Sequence, residues 1–163
     1  MAWIECVPNI SEGRRKDVIE RVAKAIRSVP GVALQSVDSD PDHNRTVYTF
    51  VGSPSAVCEG AFRCVRAAKE SIDLRKHEGV HPRFGVADVV PLVPVDGTRL
   101  EHCGRWARDL AARIDRELEI PTYTYGAANE RGLTLPELRK RIDRKHPSAG
   151  AVAVGARDVL IAF

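Results

Sequence analysis

Several signatures are missing from this 163-residue chain, and each absence removes a class of function. There is no G-x-x-x-x-G-K-[ST] loop and no G-x-G-x-x-G turn, so no ready cradle for a phosphate or a dinucleotide is on offer. No G-x-S-x-G elbow is present, which argues against a hydrolase of that serine type. The four cysteines (Cys6, Cys58, Cys64 and Cys103) include no C-x-x-C pair. Scattered in this way they read as reduced thiols of a cytosolic protein, with Cys58 and Cys64 as small buried hydrophobes on a helix. No apolar run reaches membrane-spanning length and no charged-then-apolar leader opens the chain, so we expect a cytoplasmic protein with no membrane partner. A surplus of one charge is also lacking. The 25 basic and 22 acidic residues leave +3, too little to argue for nucleic acid, although a local patch can still attract an anionic ligand.

What is present is the length and composition of one soluble domain, with 44% hydrophobic and 29% charged residues. Residues 2–7 read as a strand closed by Pro8-Asn9. Ser11 reads as the N-cap of a helix reaching Arg27, with Val18, Val22 and Ile26 on its apolar face. A second strand over 32–37 leads into a dense turn over 38–44, and 46–51 alternates as a third strand. Ser53-Pro54 starts a helix to about Leu74. Residues 86–95 are apolar but carry Pro91 and Pro94, so only the first half is expected to be a clean central strand. Thr98 is expected to cap a third helix. A short strand over 122–125, a short basic helix over 135–144 and a strand over 151–163 complete the chain. The first six elements give the β-α-β-β-α-β order of ferredoxin-like folds. We therefore expect an α+β single domain over 1–163, with that core extended by further elements and one mixed sheet whose helices pack on one face. The chain stops inside its last apolar run, which suggests either that it ends where a larger ancestor continued or that it was cut there.

The stretch 75–85 draws attention because it is polar, doubly histidine-bearing and glycine-flanked between two apolar elements. His77-Glu78-Gly79-Val80-His81 matches H-E-x-x-H, but that zinc motif needs a helix to bring both imidazoles to one metal. Gly79 and Pro82 both oppose a helix there, so we expect no metal. His81, fixed before a proline, is the candidate proton-transfer group. If loops 38–45 and 75–85 meet, Asp38 can orient its imidazole; a turn residue bonding its own backbone is the plainer use of Asp38. Arg45, Arg75, Lys76 and Arg83 are candidate carboxylate ligands or a solvated rim. His43 reads as a turn residue and His102 as a surface position. Near the end, the small residues from Ser148 through Gly150 and Gly155 to Arg157 would let a flat ligand approach the backbone, or would serve tight strand packing.

Four blocks in order carry a family resemblance. They are Glu5-Cys6-Val7-Pro8-Asn9-Ile10-Ser11-Glu12-Gly13-Arg14, Asn44-Arg45-Thr46-Val47-Tyr48-Thr49-Phe50-Val51-Gly52, the stretch from Ile72 through His77 with Gly79 through Gly85, and residues 150–163. With these the chain resembles the N-terminal subdomain of the glutamate formimidoyltransferases. The resemblance implies transfer of a formimino group from N-formimino-L-glutamate to tetrahydrofolate, which acts as co-substrate. It makes His81 the acid/base and Asp38 its carboxylate partner. It puts the folate-contacting segment near 146–155, with His146, Ser148, Gly150 and Gly155, and it adds Gly79 and the flanking cations Arg45, Arg75, Lys76, Arg83 and Arg157 as substrate ligands. Two departures stand out: the C-terminal subdomain that completes the family's folate groove is absent, and the region between Leu135 and Pro147 is short. A homodimer or a separate C-terminal-subdomain partner is therefore expected. Two other readings stay open. One is a non-catalytic folate-binding or assembly module, and the other is formyl transfer from N-formylglutamate.

Overall fold

Strict alternation makes residues 45–52 the spine of the sheet. Strand β4 (Arg45–Gly52) buries Thr46, Tyr48, Phe50 and Gly52 and leaves the residues between them half-buried. The computed structural model describes residues 2–79 and 83–159. Within them β4 pairs antiparallel with β3 (Ala33–Asp40) on one edge. On its other edge it pairs with β1 (Ile4–Cys6) and β2 (Asn9–Ile10), two short pieces that both continue the ladder to β5 (Ala87–Pro94). β5 runs parallel to β7 (Val152–Ala156), which runs parallel to β6 (Thr122–Gly126). The expected α+β architecture on one mixed sheet is present, with seven strands.

Helices α1 (Lys16–Arg27), α2 (Pro54–Ser71) and α3 (Leu100–Leu118) cover one face. Val22, Ile26, Val57, Val65 and Ile114 pack there on Phe50, Leu92 and Val154. Full burial of each such side chain contributes about 1.5–3 kcal/mol. Period-two alternation sends Val89, Tyr125 and Ala153 to the opposite face, where α4 (Leu135–Arg139) adds Leu138 to a smaller cluster. The helices are thus not all on one face. On that second face Val47, Thr49 and Val51 of β4 stay half-buried.

Several local expectations are corrected. Ser11 does not cap α1: it is buried and its hydroxyl donates to the Gly85 carbonyl at 2.7 Å. Glu12 serves the helix start instead, accepting from the N–H groups of Arg14 and Arg15 at 3.1 and 2.9 Å. Thr98 likewise binds Trp3, as donor to its carbonyl and acceptor from its N–H, and α3 starts without a side-chain cap. The first strand does end ahead of Pro8, at Cys6, but the chain re-enters the same sheet at once as β2 from Asn9. Pro91 does not interrupt β5. It falls opposite the break between β1 and β2, where its carbonyl accepts from Val7 and no ladder donor is needed. β3 runs on to Asp40, so Asp38 is a strand residue in register with Val47 and the turn is confined to 41–44. The basic helix stops at Arg139, five residues earlier than the sequence pattern suggests. The expected cap Ser53 holds, accepting from Ala56 N–H ahead of Pro54.

Candidate functional site

The end of α2 sets up the polar loop. Asp73 caps a single 3-10 turn over Leu74–Lys76, accepting from Arg75 N–H at 3.0 Å and from its guanidinium at 2.9 and 2.8 Å. The Arg75 guanidinium lowers the Asp73 carboxyl to about 2. Arg75 is thus paired to its own turn. His77 follows in extended backbone at φ −83° and ψ 134°, so the helical presentation that H-E-x-x-H requires is broken at its first residue. His81, to which the resemblance gives the acid/base role, lies outside the described residues.

Arg83 ties this loop to the turn after β3. Its Nη1 donates to the Asn44 carbonyl at 2.8 Å, and its Nη2 donates to the carbonyl of His43. Nη1 also lies 3.0 Å from His77 Nε2. The same Nε2 lies 3.2 Å from the Asn44 carbonyl, so the guanidinium and the imidazole share that acceptor. Burial, then Arg83, pushes the His77 pKa down from its ordinary value. Asn44 completes the junction. It sits at φ 50°, accepts from Gly13 N–H at 2.7 Å and donates to the Glu78 carbonyl at 2.8 Å. A side chain on Gly79 would strike the His43 carbonyl, so glycine permits this approach.

The turn also holds a carboxylate–imidazole pair. Asp40 Oδ2 accepts from His43 Nδ1 at 2.5 Å, and its Oδ1 accepts from the N–H groups of Asp42 and His43. These bonds, the backbone one first, hold the Asp40 carboxyl below the usual range. Asp38 is exposed two residues upstream on the same face of β3. From the far side comes the turn 146–150, where His146 Nδ1 accepts from the N–H groups of Ser148 and Ala149, both at 3.1 Å. The Ser148 carbonyl accepts from Leu74, and Gly150, at φ 72°, bridges to Gly85. Gly79, Arg83, His146, Ser148 and Gly150 therefore gather around one loop. Lys76 joins them on the wall of a neighbouring hollow shared with Glu12, Arg14 and His77.

Arg45 and Arg157 sit apart from that loop, on the sheet face opposite the three long helices. There a cleft of about 560 Å³ has Val89, Pro91 and Tyr125 as its floor and Arg45, Arg139 and Arg157 around its rim. The Tyr125 ring lies on Gly155, so the space above that glycine is filled by the ring. Burial pushes the Tyr125 phenol up, while Arg157 and Arg139 both pull it down.

A family model for the formiminotransferase domain, N-terminal subdomain, matches residues 3–145. The chain belongs to that family. It is 43% identical over 185 aligned positions to a glutamate formimidoyltransferase of Thermoplasma acidophilum, covering 100% of this chain and 61% of that protein. A similar protein of the same name from Streptococcus pyogenes serotype M1 is 40% identical, covering 98% of this chain and 60% of that one. The formimidoyltransferase-cyclodeaminase of Rattus norvegicus is 41% identical over 98% of this chain and 34% of its own length. The chain thus spans about three fifths of the first two relatives and a third of the last. The 185 aligned positions against 163 residues leave at least 22 positions of the Thermoplasma protein without a counterpart here.

In this family member, sequence reasoning passed over Asn44, His77, the Asp40–His43 pair and Arg139. The three-residue spacing of Asp40 and His43 was a readable signal, since Asp at i and a turn at i+3 are a common local pairing. Arg139 had none: its partner Asp88 lies 51 positions away.

Proposed function

We propose that the chain is the N-terminal part of a folate-dependent one-carbon transferase that moves the formimino group of N-formimino-L-glutamate to tetrahydrofolate. In this scheme a folate nitrogen attacks the amidine carbon, and a C–N bond to folate forms as a tetrahedral intermediate. The C–N bond to glutamate then breaks. One imidazole, His81, takes the proton from the folate nitrogen and returns it to the departing glutamate nitrogen, with Asp38 as its orienting carboxylate. The observation that carries the reading is the family match running through the whole pinned loop and the strands that flank it. The rim arginines suit the glutamate carboxylates of both substrates. No metal is needed for this proton traffic.

A second unit completes the site in this reading, either a C-terminal subdomain or a second copy of the chain. The half-buried second face of β4 and the partial coverage of the relatives support it. The same coverage favours one rival, a folate-binding module without activity. Mixing the protein with tetrahydrofolate and N-formimino-L-glutamate, with N-formyl-L-glutamate as a parallel donor, separates these readings. Growth of product absorbance with the formimino donor supports the transferase, and folate binding without turnover, at high protein concentration and with a relative's C-terminal subdomain added, leaves the module.

A further inference from the structure

The structure points to Arg139 as the residue that selects a carboxylate-bearing ligand in the cleft on the open sheet face, and we propose that it grips that carboxylate with its guanidinium. The proposal deepens the transferase reading and rests on it only for naming the ligand as the glutamate end of a folate or of the donor.

Arg139 is the one rim cation whose head is fixed from two sides. Its Nη2 donates to Asp88 Oδ2 at 3.2 Å, and its guanidinium carbon lies 4.9 Å from the centre of the Phe84 ring. Asp88 is itself fixed, buried at 5% exposure and accepting from Phe84 N–H at 2.8 Å. Arg139 remains 31% exposed along its side chain and lines the cleft. A guanidinium has five N–H donors, and among the described residues the Asp88 contact is the only hydrogen bond of this one. The rest remain for a ligand. A stacked, ion-paired guanidinium loses little freedom when a carboxylate docks in its fork. The other two rim cations lack this support: Arg157 donates only to the adjacent Asp158 carbonyl, and Arg45 has no side-chain hydrogen bond among the described residues. The apolar floor of Val89 and Pro91 with the Tyr125 ring suits a flat aromatic body, which leaves the anion for the rim.

The test compares p-aminobenzoyl-L-glutamate with p-aminobenzamide, its analogue without the glutamate, by titration against the full chain. The unaltered protein should prefer the glutamate-bearing probe. Arg139→Met should reduce that preference by about tenfold or more, and Arg139→Lys should restore only part of it, because an ammonium cannot form the fork. Removing the cation alone leaves a bare carboxylate buried at Asp88, so the pair Arg139→Met with Asp88→Asn repeats the measurement in a protein without that charge. Arg116→Met on the outer side of α3 is the control and should keep the preference. No preference in the unaltered chain, an unchanged preference in both Arg139 variants, or equal competition by inorganic phosphate and glutamate would overturn the assignment. Loss of preference on changing Arg139, in a protein that shows no transfer even when a relative's C-terminal subdomain is supplied, would uphold the carboxylate site while sinking the transferase reading.

Discussion

Arg83 holds Asn44 by its main chain, donating to the carbonyl at 2.8 Å, and reaches the preceding carbonyl of His43 with its other terminal nitrogen. A guanidinium spanning two successive carbonyls works as a brace between the turn after β3 and the polar loop. The brace matters because catalytic geometry tolerates little error: a displacement of about 1 Å can cost roughly a hundredfold in rate.

Arg83→Met should therefore lower turnover by about a hundredfold while leaving the helical and sheet core folded. Arg83→Lys should recover little, since one ammonium cannot span both carbonyls. Hydrogen exchange at residues 43–44 and 77–79 gives a check independent of activity. Faster exchange confined to those amides is expected, and unchanged exchange in the variant would remove the brace.

Asn44 combines a left-handed backbone at φ 50° with two side-chain hydrogen bonds that join the Gly13 and Glu78 segments. Asn44→Gly removes the bonds and keeps the backbone comfortable, at a cost of about 1–3 kcal/mol. Asn44→Ala adds the steric penalty of that backbone, about 1–2 kcal/mol more. Urea denaturation of the two variants should give Ala as the weaker protein. Equal stabilities would mean that φ 50° carries no cost here.

The pattern-bearing parts of the fold were legible beforehand and the long-range parts were not. The alternation of β4 and the Ser53-Pro54 start of α2 are local signals, and both elements form where the pattern puts them. Ser11 and Thr98 carry the same capping chemistry as Ser53. In both, however, the hydroxyl is taken by a carbonyl far along the chain, Gly85 for one and Trp3 for the other. Local spacing cannot tell these outcomes apart, because a hydroxyl bonds whichever partner tertiary packing brings closest. Pro91 misled for a related reason. A missing N–H weakens a strand only where a partner needs it, and the break at Pro8 removes that need. At the site, the sequence marked the loop and its cations. Arg75 finds its partner two residues away, but what Arg83 and Arg139 do depends on carbonyls and a carboxylate 39 to 51 positions distant.

His77 gives the loop a pH dependence with a defined sign. Burial, then Arg83, lowers its pKa in the folded protein, against an unfolded value of about 6.5. The unfolded chain therefore binds more protons as the pH drops. The stabilisation from a neutral His77 is complete above about 6.5 and is lost on acidification below it. Melting temperatures measured at successive pH values between about 7.5 and 5 should fall in the unaltered protein. His77→Gln should show a shallower fall over the same window. Parallel curves for the two proteins would mean that the Arg83–His77 contact does not govern protonation.

His81 is the residue on which the proposed chemistry turns, and its role separates cleanly from binding. A group that only carries a proton between two nitrogens contributes to the barrier and not to the affinity of the ground state. His81→Ala should reduce kcat by about two to four orders of magnitude, while folate affinity measured by titration stays within a few fold. Asp38 lies in the exposed row of β3, so Asp38→Asn should leave the melting temperature unchanged. If it orients the imidazole, the same change should lower kcat with little effect on KM. A His81→Ala protein that loses folate binding along with turnover would make residue 81 a ligand contact. The proton would then need another carrier, and the Asp40–His43 pair on the adjoining turn would be the first place to look.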